Sequence, residues 1–320
     1  MGSEELARRF LHVNLNCESL DATERLYGGQ LGLSARMRTD PTVATDGSIL
    51  GIDDGDETFC ETSFLYDSRG GRAGCALEAI EFHKPALKAD SNSDPTRPGI
   101  RSTLLTVADL DATVTALRDA AVTVTGPVDG LISGSKSFLA LDPDGAVIEV
   151  AEAPSDKPGT VFAGIRIAAI DAAATGAFLT AIGFGQVQAP APVEVAGDQL
   201  APGGSPNAVK CAVSRYTLAE DAHQFSLTVV EHPDTRKADP VPWGGNHQGL
   251  YRCALRVENT AAAMALVPDS VEVKGDPVWC PLPGTKIDGL FISFLRSPDG
   301  VVFEFVERPL KHFSPATARG

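Results

Sequence analysis

Along residues 11–17, LHVNLNC, apolar and polar side chains alternate one by one, as in a strand with a single buried face. Glu18, Ser19, Leu20 and Asp21 then offer helix caps, and the spacing turns helical through ATERLYGGQLG, with Gly32 as its stop. Residues 33–39 predict a second strand. TFCETSFLYD (58–67) and CALEAIEF (75–82) predict two more, and the Asp-, Gly- and Thr-rich stretch 40–57 before them predicts a loop or a loosely paired hairpin. The order is β-α-β-β-β, and it recurs. GIRSTLLTV (99–107) is a strand, Asp109 and Asp111 start a helix through LDATVTALRDAA, and AVTVTGPV, SFLALDPDG and AVIEVAEAP follow as strands. A third unit opens at VFAGIRIAAID (161–171), with the helix AAATGAFLTAIG and strands GFGQVQ, KCAVSRYTL and HQFSLTVVEH. Its Pro-, Ala- and Gly-rich segment 188–208 predicts a loop. The fourth opens at GLYRCALRV (249–257), has a short helix in ENTAAAMALV, and ends in SVEVKGDP, LFISFLRSPDG and VVFEFVERP.

Two closing strand pairs are near copies: FLALDPDGAVIEVAEAP (138–154) and FISFLRSPDGVVFEFVERP (291–309). Each joins its strands through a Pro-Asp-Gly turn, and each carries an inward acid, Glu149 or Glu304. A repeat of this kind fixes the architecture before any single element does. Polar linkers at 84–98, 153–160 and 233–248 separate the units. The predicted fold is therefore α+β: four βαβββ modules paired into two cupped mixed-sheet domains, residues 1–153 and 160–310. The helix of each module covers one face of its sheet and leaves the other free to line a cavity.

Composition narrows the function. A net charge of −15 over 320 residues disfavours nucleic acid and anionic membrane as partners. No run approaches the roughly 18 apolar residues of a membrane span. The six cysteines are scattered without a CxxC pair, which fits reduced thiols and a cytoplasmic location. No phosphate loop, GxSxG elbow or HExxH helix occurs. The remaining partner is a small molecule, bound by a monomer or a homodimer. On its strand Glu78 shares a face with Ala76 and Ile80, the side expected to line the cavity. Two carboxylates there, without a cation, would repel each other. His83, His223, His232, His247 and His312 fall in loops or at strand ends. Trp243 and Trp279 are expected to pack in the core or between domains.

The run HVNLNCESLDATERLYGGQLGL (12–33), together with DPDGAVIEV and SPDGVVFEF, resembles the vicinal oxygen chelate superfamily, the group of glyoxalase I, bleomycin-resistance proteins and extradiol dioxygenases. The resemblance implies paired modules wrapped round a divalent metal ion, of the Mn, Fe, Zn, Ni or Mg kind, with ligands from the first and last strand of each module. Carried over by position, it implies His12, Glu78 and Glu149 as metal ligands. Ser102 stands where a second histidine is common, and Ser102 and Arg252 become substrate contacts. The corresponding positions of the second half fall at Ala163, Thr228, Arg252 and Glu304, a degenerate copy in which Arg252 and Glu304 form an ion pair or Arg252 holds an anionic substrate group. The implied activity is a lyase or isomerase of the glyoxalase type, acting on a small oxygenated molecule, with Glu78 or Glu149 moving a proton. The alternatives are a metal-free, antibiotic-sequestering binding protein and an iron-dependent dioxygenase.

Overall fold

The computed structural model describes residues 5–89, 94–154, 159–221, 224–281 and 289–310. His223 and His312 lie outside them. The first module comprises β1 (Arg9–Cys17), α1 (Leu20–Thr23, continued by a wider turn through Gln30), β2 (Ser34–Arg38), β3 (Phe59–Tyr66) and β4 (Ala76–Lys84). The second is β5 (Gly99–Val107), α2 (Leu110–Asp119), β6 (Val124–Asp129), β7 (Lys136–Leu141) and β8 (Val147–Glu152). The third is β9 (Val161–Ala168), α3 (Ala172–Ala181), β10 (Gly185–Ala196), β11 (Ala208–Thr217) and β12 (Ser226–Glu231). The fourth is β13 (Gly249–Val257), α4 (Thr260–Leu266), β14 (Glu272–Val273), β15 (Val278–Pro281), β16 (Gly289–Arg296) and β17 (Val302–Glu307).

The four helices start in the same way. Ser19, Asp109, Asp171 and Asn259 each hold an extended backbone, and their side chains accept from amides of the first helical turn. The Pro-Asp-Gly turns are also built alike. Gly145 and Gly300 take φ of 81° and 86°, the left-handed conformation that favours glycine. In one turn Asp142 accepts from the amides of Asp144 and Ala146, and in the other Ser297 accepts from Val301.

One expectation fails at the third module. The segment taken as a loop from residue 188 carries β10 through to Ala196, paired antiparallel with β11. β10 is the edge strand of its sheet, and Pro190 and Pro192 are tolerated there because an edge strand leaves half its amides unpaired.

The module pairing also differs from the expected division at residues 153–160. One sheet runs β14-β16-β17-β13-β1-β4-β3-β2, with β15 on β16, and so joins modules four and one. The other runs β10-β11-β12-β9-β5-β8-β7-β6 and joins modules three and two. The seams are antiparallel pairs of first strands, β1 with β13 and β5 with β9. Each module's last strand lies parallel to its first, as β4 does to β1 and β17 to β13. The longer linkers, 84–98 and 233–248, pass between sheets, whereas the shorter 153–160 linker joins two modules of one sheet.

Each sheet is cupped. The convex faces and the helices share one core, in which Phe10, Val13 and Leu15 of β1 meet Leu105 of β5, Phe162 of β9, Leu255 of β13 and the helical Leu117 and Leu179, all at most 1% exposed. The two concave faces point away from that core and form two separate cups. No helix of the described residues is long and apolar enough to cross a membrane.

Candidate functional site

In the first cup four charged or ionisable side chains converge from four adjacent strands. His12 comes from β1, Glu78 from β4, Arg252 from β13 and Glu304 from β17. Register explains the convergence. Glu78 lies opposite Asn14, two residues along from His12, and Glu304 lies opposite Ala254, two residues along from Arg252. Alternation on a strand puts residues two apart on one face. The two half-sites are thus related across the β1–β13 seam, with Arg252 the counterpart of His12.

Arg252 occupies the centre. Its Nη2 donates to Glu78 Oε2 at 2.7 Å and its Nε to Glu304 Oε2 at 3.1 Å. His12 Nε2 stands 3.4 Å from Glu78 Oε2 and 3.9 Å from Glu304 Oε2. All four are largely enclosed, with side-chain exposures of 8% for Arg252 and Glu78, 9% for Glu304 and 14% for His12. Burial works against the Arg252 charge, but the two carboxylates outweigh it and raise the Arg252 pKa. Burial likewise pushes Glu304 up, yet His12 and Arg252 together hold it below the ordinary glutamate range. The cation needed between two buried acids is supplied by the chain itself.

The walls are more aromatic than the composition suggests. Phe64 meets the His12 imidazole edge to face at 5.5 Å between centroids, and Tyr66 stacks on Phe64 at 6.5 Å. Tyr251, Ile292, Phe294, Val302 and Val306 form an apolar cluster beside them, with Trp243 packed on its margin. Trp243 lies so close to Gly51 that a β-carbon there would fall 2.0 Å from its ring. A loop of the first module is thereby pinned over the fourth module's side of the cup. Trp279 does not pack inside as expected: it is 50% exposed against Phe291. His247 stacks on Tyr251, and its main-chain carbonyl accepts from Asn16. The thiols of Cys60 and Cys280 are raised, chiefly by burial, with the Glu78 charge adding to the shift of each.

The expected metal trio is not assembled. His12 and Glu78 meet, but Glu149 belongs to β8 in the other sheet. There it accepts from the amides of Ile132 at 3.0 Å and Ser133 at 2.8 Å and from Ser137 Oγ at 3.3 Å. These bonds tie the β6–β7 loop over the second cup, and Gly130 packs so tightly that a β-carbon there would fall 2.2 Å from Glu149 Oε1. Ser102 is also in the second cup, 2% exposed, with its hydroxyl near the Thr103 carbonyl at 3.2 Å. The first-strand counterpart in the third module is Gly164 rather than Ala163, because Thr228 lies opposite Arg166, two residues along. The expected ion pair of Arg252 with Glu304 is present. Sequence reasoning missed that both join His12 and Glu78.

The donor set does not fit a divalent ion. Glu78 and Glu304 each direct Oε2 to the guanidinium, so an ion bound by both would press against a fixed positive charge. Among the described residues no group of three or more His, Cys, Asp or Glu side chains is arranged to hold a metal.

The family model of the Glyoxalase/Bleomycin resistance protein/Dioxygenase superfamily matches residues 9–150. The match spans the first two modules, less than half of the chain. The rest of the chain shares that superfamily's fold. Glyoxalase I from Zea mays superposes with a TM-score of 0.66 at 16% identity, over 94% of this chain and 92% of that one. A variant of the same enzyme gives 0.68 at 16% identity over 98% of each chain. A candidate dioxygenase from Bacillus subtilis gives 0.60 at 13% identity, over 96% of this chain and 88% of that one. No curated protein sequence matches the chain. At these identities the superfamily supplies the architecture, and the chemistry must be argued from the side chains.

Proposed function

We propose that the first cup binds a small oxygenated organic molecule without a metal ion, Arg252 supplying the positive charge. One observation carries this reading: the Arg252 guanidinium sits between Glu78 and Glu304, on the β13 position equivalent to His12. Its Nη1 is buried without a hydrogen-bond partner among the described residues, while His12 Nε2 stands beside the two carboxylates, 3.4 Å from Glu78 Oε2 and 3.9 Å from Glu304 Oε2. A buried donor left unmatched costs roughly 1–3 kcal/mol, and a ligand oxygen would remove that cost. Phe64, Tyr66 and Phe294 would hold the ligand's apolar body.

The glyoxalase-type lyase or isomerase reading needs a dication at the point the guanidinium fills. The test is ligand binding after exhaustive chelation. A panel of small hydroxycarbonyl and carboxylate compounds should bind the chelated protein as well as the untreated one. The Arg252→Gln and His12→Ala variants should bind them at least about tenfold more weakly, the factor expected for a lost hydrogen bond to a charged group. Binding that vanishes on chelation and returns with a transition metal would defeat this reading in favour of the metalloenzyme.

A further inference from the structure

The second cup holds an arrangement that the first-cup reading does not use. Four residues lie side by side across four strands. Ser102 of β5 pairs with Arg166 of β9, Arg166 with Thr228 of β12, and Thr228 with Arg215 of β11. Direct neighbours in register share a face, so Ser-Arg-Thr-Arg forms one transverse row on the concave side.

This row is short of acceptors. Arg166 is 2% exposed; its Nη2 donates to the Leu200 carbonyl at 2.9 Å, while Nη1 has no partner among the described residues. Arg215 donates through Nη2 to the Leu131 carbonyl at 2.9 Å and leaves Nε buried without a partner. The Thr228 hydroxyl, 0% exposed, is also unpartnered. Both partnered donors end on neutral carbonyls, so no carboxylate balances either guanidinium directly. The Glu149 charge acts on Arg166 from a distance, its oxygens being committed to Ile132, Ser133 and Ser137. Burial lowers the Arg166 pKa to about 10, which still leaves it charged at neutral pH. A buried cation with no directly bonded counter-charge is costly to a fold. In the first cup the same problem is solved by two glutamates.

Space for an outside counter-charge adjoins the row. A cavity of about 430 Å³ is lined by Arg215 together with Leu104, Ile132, Ala163, Val161 and Ser226. Leu104 and Ser226 are two residues along from Ser102 and Thr228, on the same face, and Arg215 is the member of the row that lines the cavity itself. Gly164 lies between them and carries no side chain; a β-carbon there would fall 2.6 Å from the Ser226 carbonyl oxygen and 2.9 Å from Ile132. The space therefore has the Arg215 guanidinium at one end and an apolar side of Leu104, Ile132, Ala151 and Ala163. Its rim is polar and includes Ser133, Ser135, Gln224 and Glu152.

We infer that the second cup is a binding site for a small organic carboxylate. Its charged head lies on Arg215, at the mouth of the row whose Arg166 and Thr228 donors lie behind it, and its apolar body lies against Leu104, Ile132 and Ala163. The site is independent of the first cup and of whether that cup takes a metal.

Isothermal titration of the full chain tests it, with hexanoate as probe and 1-hexanol and inorganic phosphate as controls. Hexanoate should bind at about 1 mM or tighter. Hexanol lacks the charge, phosphate lacks the apolar body, and each should bind at least about tenfold more weakly. Arg215→Gln, at a partly exposed position that a folded chain tolerates, should weaken hexanoate by about tenfold or more. His12→Ala should leave the Arg215-dependent hexanoate binding in place and remove at most a separate, first-cup site. Loss in His12→Ala with retention in Arg215→Gln would place the carboxylate in the first cup and overturn the inference. So would phosphate binding as tightly as hexanoate, or no hexanoate binding by the wild type.

Discussion

The two cups are built from the same four-module repeat and treat buried charge in opposite ways. In the first, Arg252 is held by Glu78 and Glu304 within 3.1 Å, and His12 stands beside them. In the second, Arg166 meets one neutral carbonyl, while Glu149, the counterpart of Glu304, turns to loop amides. The same residue type at the same strand position is thus a charge partner in one sheet and a loop anchor in the other. Neighbouring residues decide this. Glu304 faces an arginine at the first-strand position of its module, whereas Glu149 faces Ser102 and a loop short enough to reach it. Position in the repeat identifies where a functional side chain can stand and leaves its task open.

The comparison can be broken by substitution, and the largest effect belongs to the first cup. Arg252→Ala leaves two buried carboxylates without a cation and should lower stability to urea by about 3–5 kcal/mol. Arg166→Met, by contrast, removes a charge that has no carboxylate partner. It should cost less than about 1 kcal/mol or raise stability. Equal losses in the two variants would mean that the cups are not different in kind. Next comes Glu149→Ala, which removes three acceptor contacts and frees the amides of Ile132 and Ser133. A loss of about 2–3 kcal/mol is expected, with faster hydrogen exchange confined to residues 130–135.

The smallest effect sharpens the comparison through pH. Glu304 is held below its ordinary range, so its contribution to stability is present above the unfolded value and is lost as pH falls through the folded one. Asp142 and Asp299, in the two Pro-Asp-Gly turns, behave in the opposite sense. Burial raises them from 3.8 to about 7 and about 6. The folded state then binds more protons than the unfolded one, so stability declines as pH rises from about 4 to about 7 and levels off above. In urea midpoints against pH, Asp142→Asn should flatten that decline without touching the acid-side loss. A wild-type midpoint that climbs between pH 5 and 7 would contradict the assignment for both aspartates.

Much of this fold could be read along the chain. The alternation in LHVNLNC, the caps at Ser19 and Asp109, and the twin Pro-Asp-Gly turns are local signals, and the elements formed where those signals stood. The pairing of modules could not be read in the same way. Each module offers a similar first strand as its seam, so β1 could join β5 as readily as β13. The only trace lay in the linkers, the two longer ones being those that cross between sheets. The misplaced partner of His12 follows from that one step: with module one paired to module two, Glu149 completes a trio, and with module one paired to module four, Glu304 and Arg252 do. β10 was hidden by its prolines, which argue against a strand everywhere except at an edge. The aromatic lining was obscured by a low total, because the few rings present are concentrated around one cup.

The central claim is that a guanidinium stands in the first cup where a divalent ion would bind, and metal content tests it most directly. Elemental analysis of wild type, Arg252→His and the double variant Arg252→His with His12→Ala, each after incubation with Mn, Ni and Zn salts, should find no stoichiometric metal in the wild type. Arg252→His should hold about one ion per chain, because it replaces the central cation with a fourth donor beside His12, Glu78 and Glu304, and the double variant should lose it. About one ion per chain in the wild type, lost on His12→Ala alone, would contradict the account and restore a metal centre to the first cup.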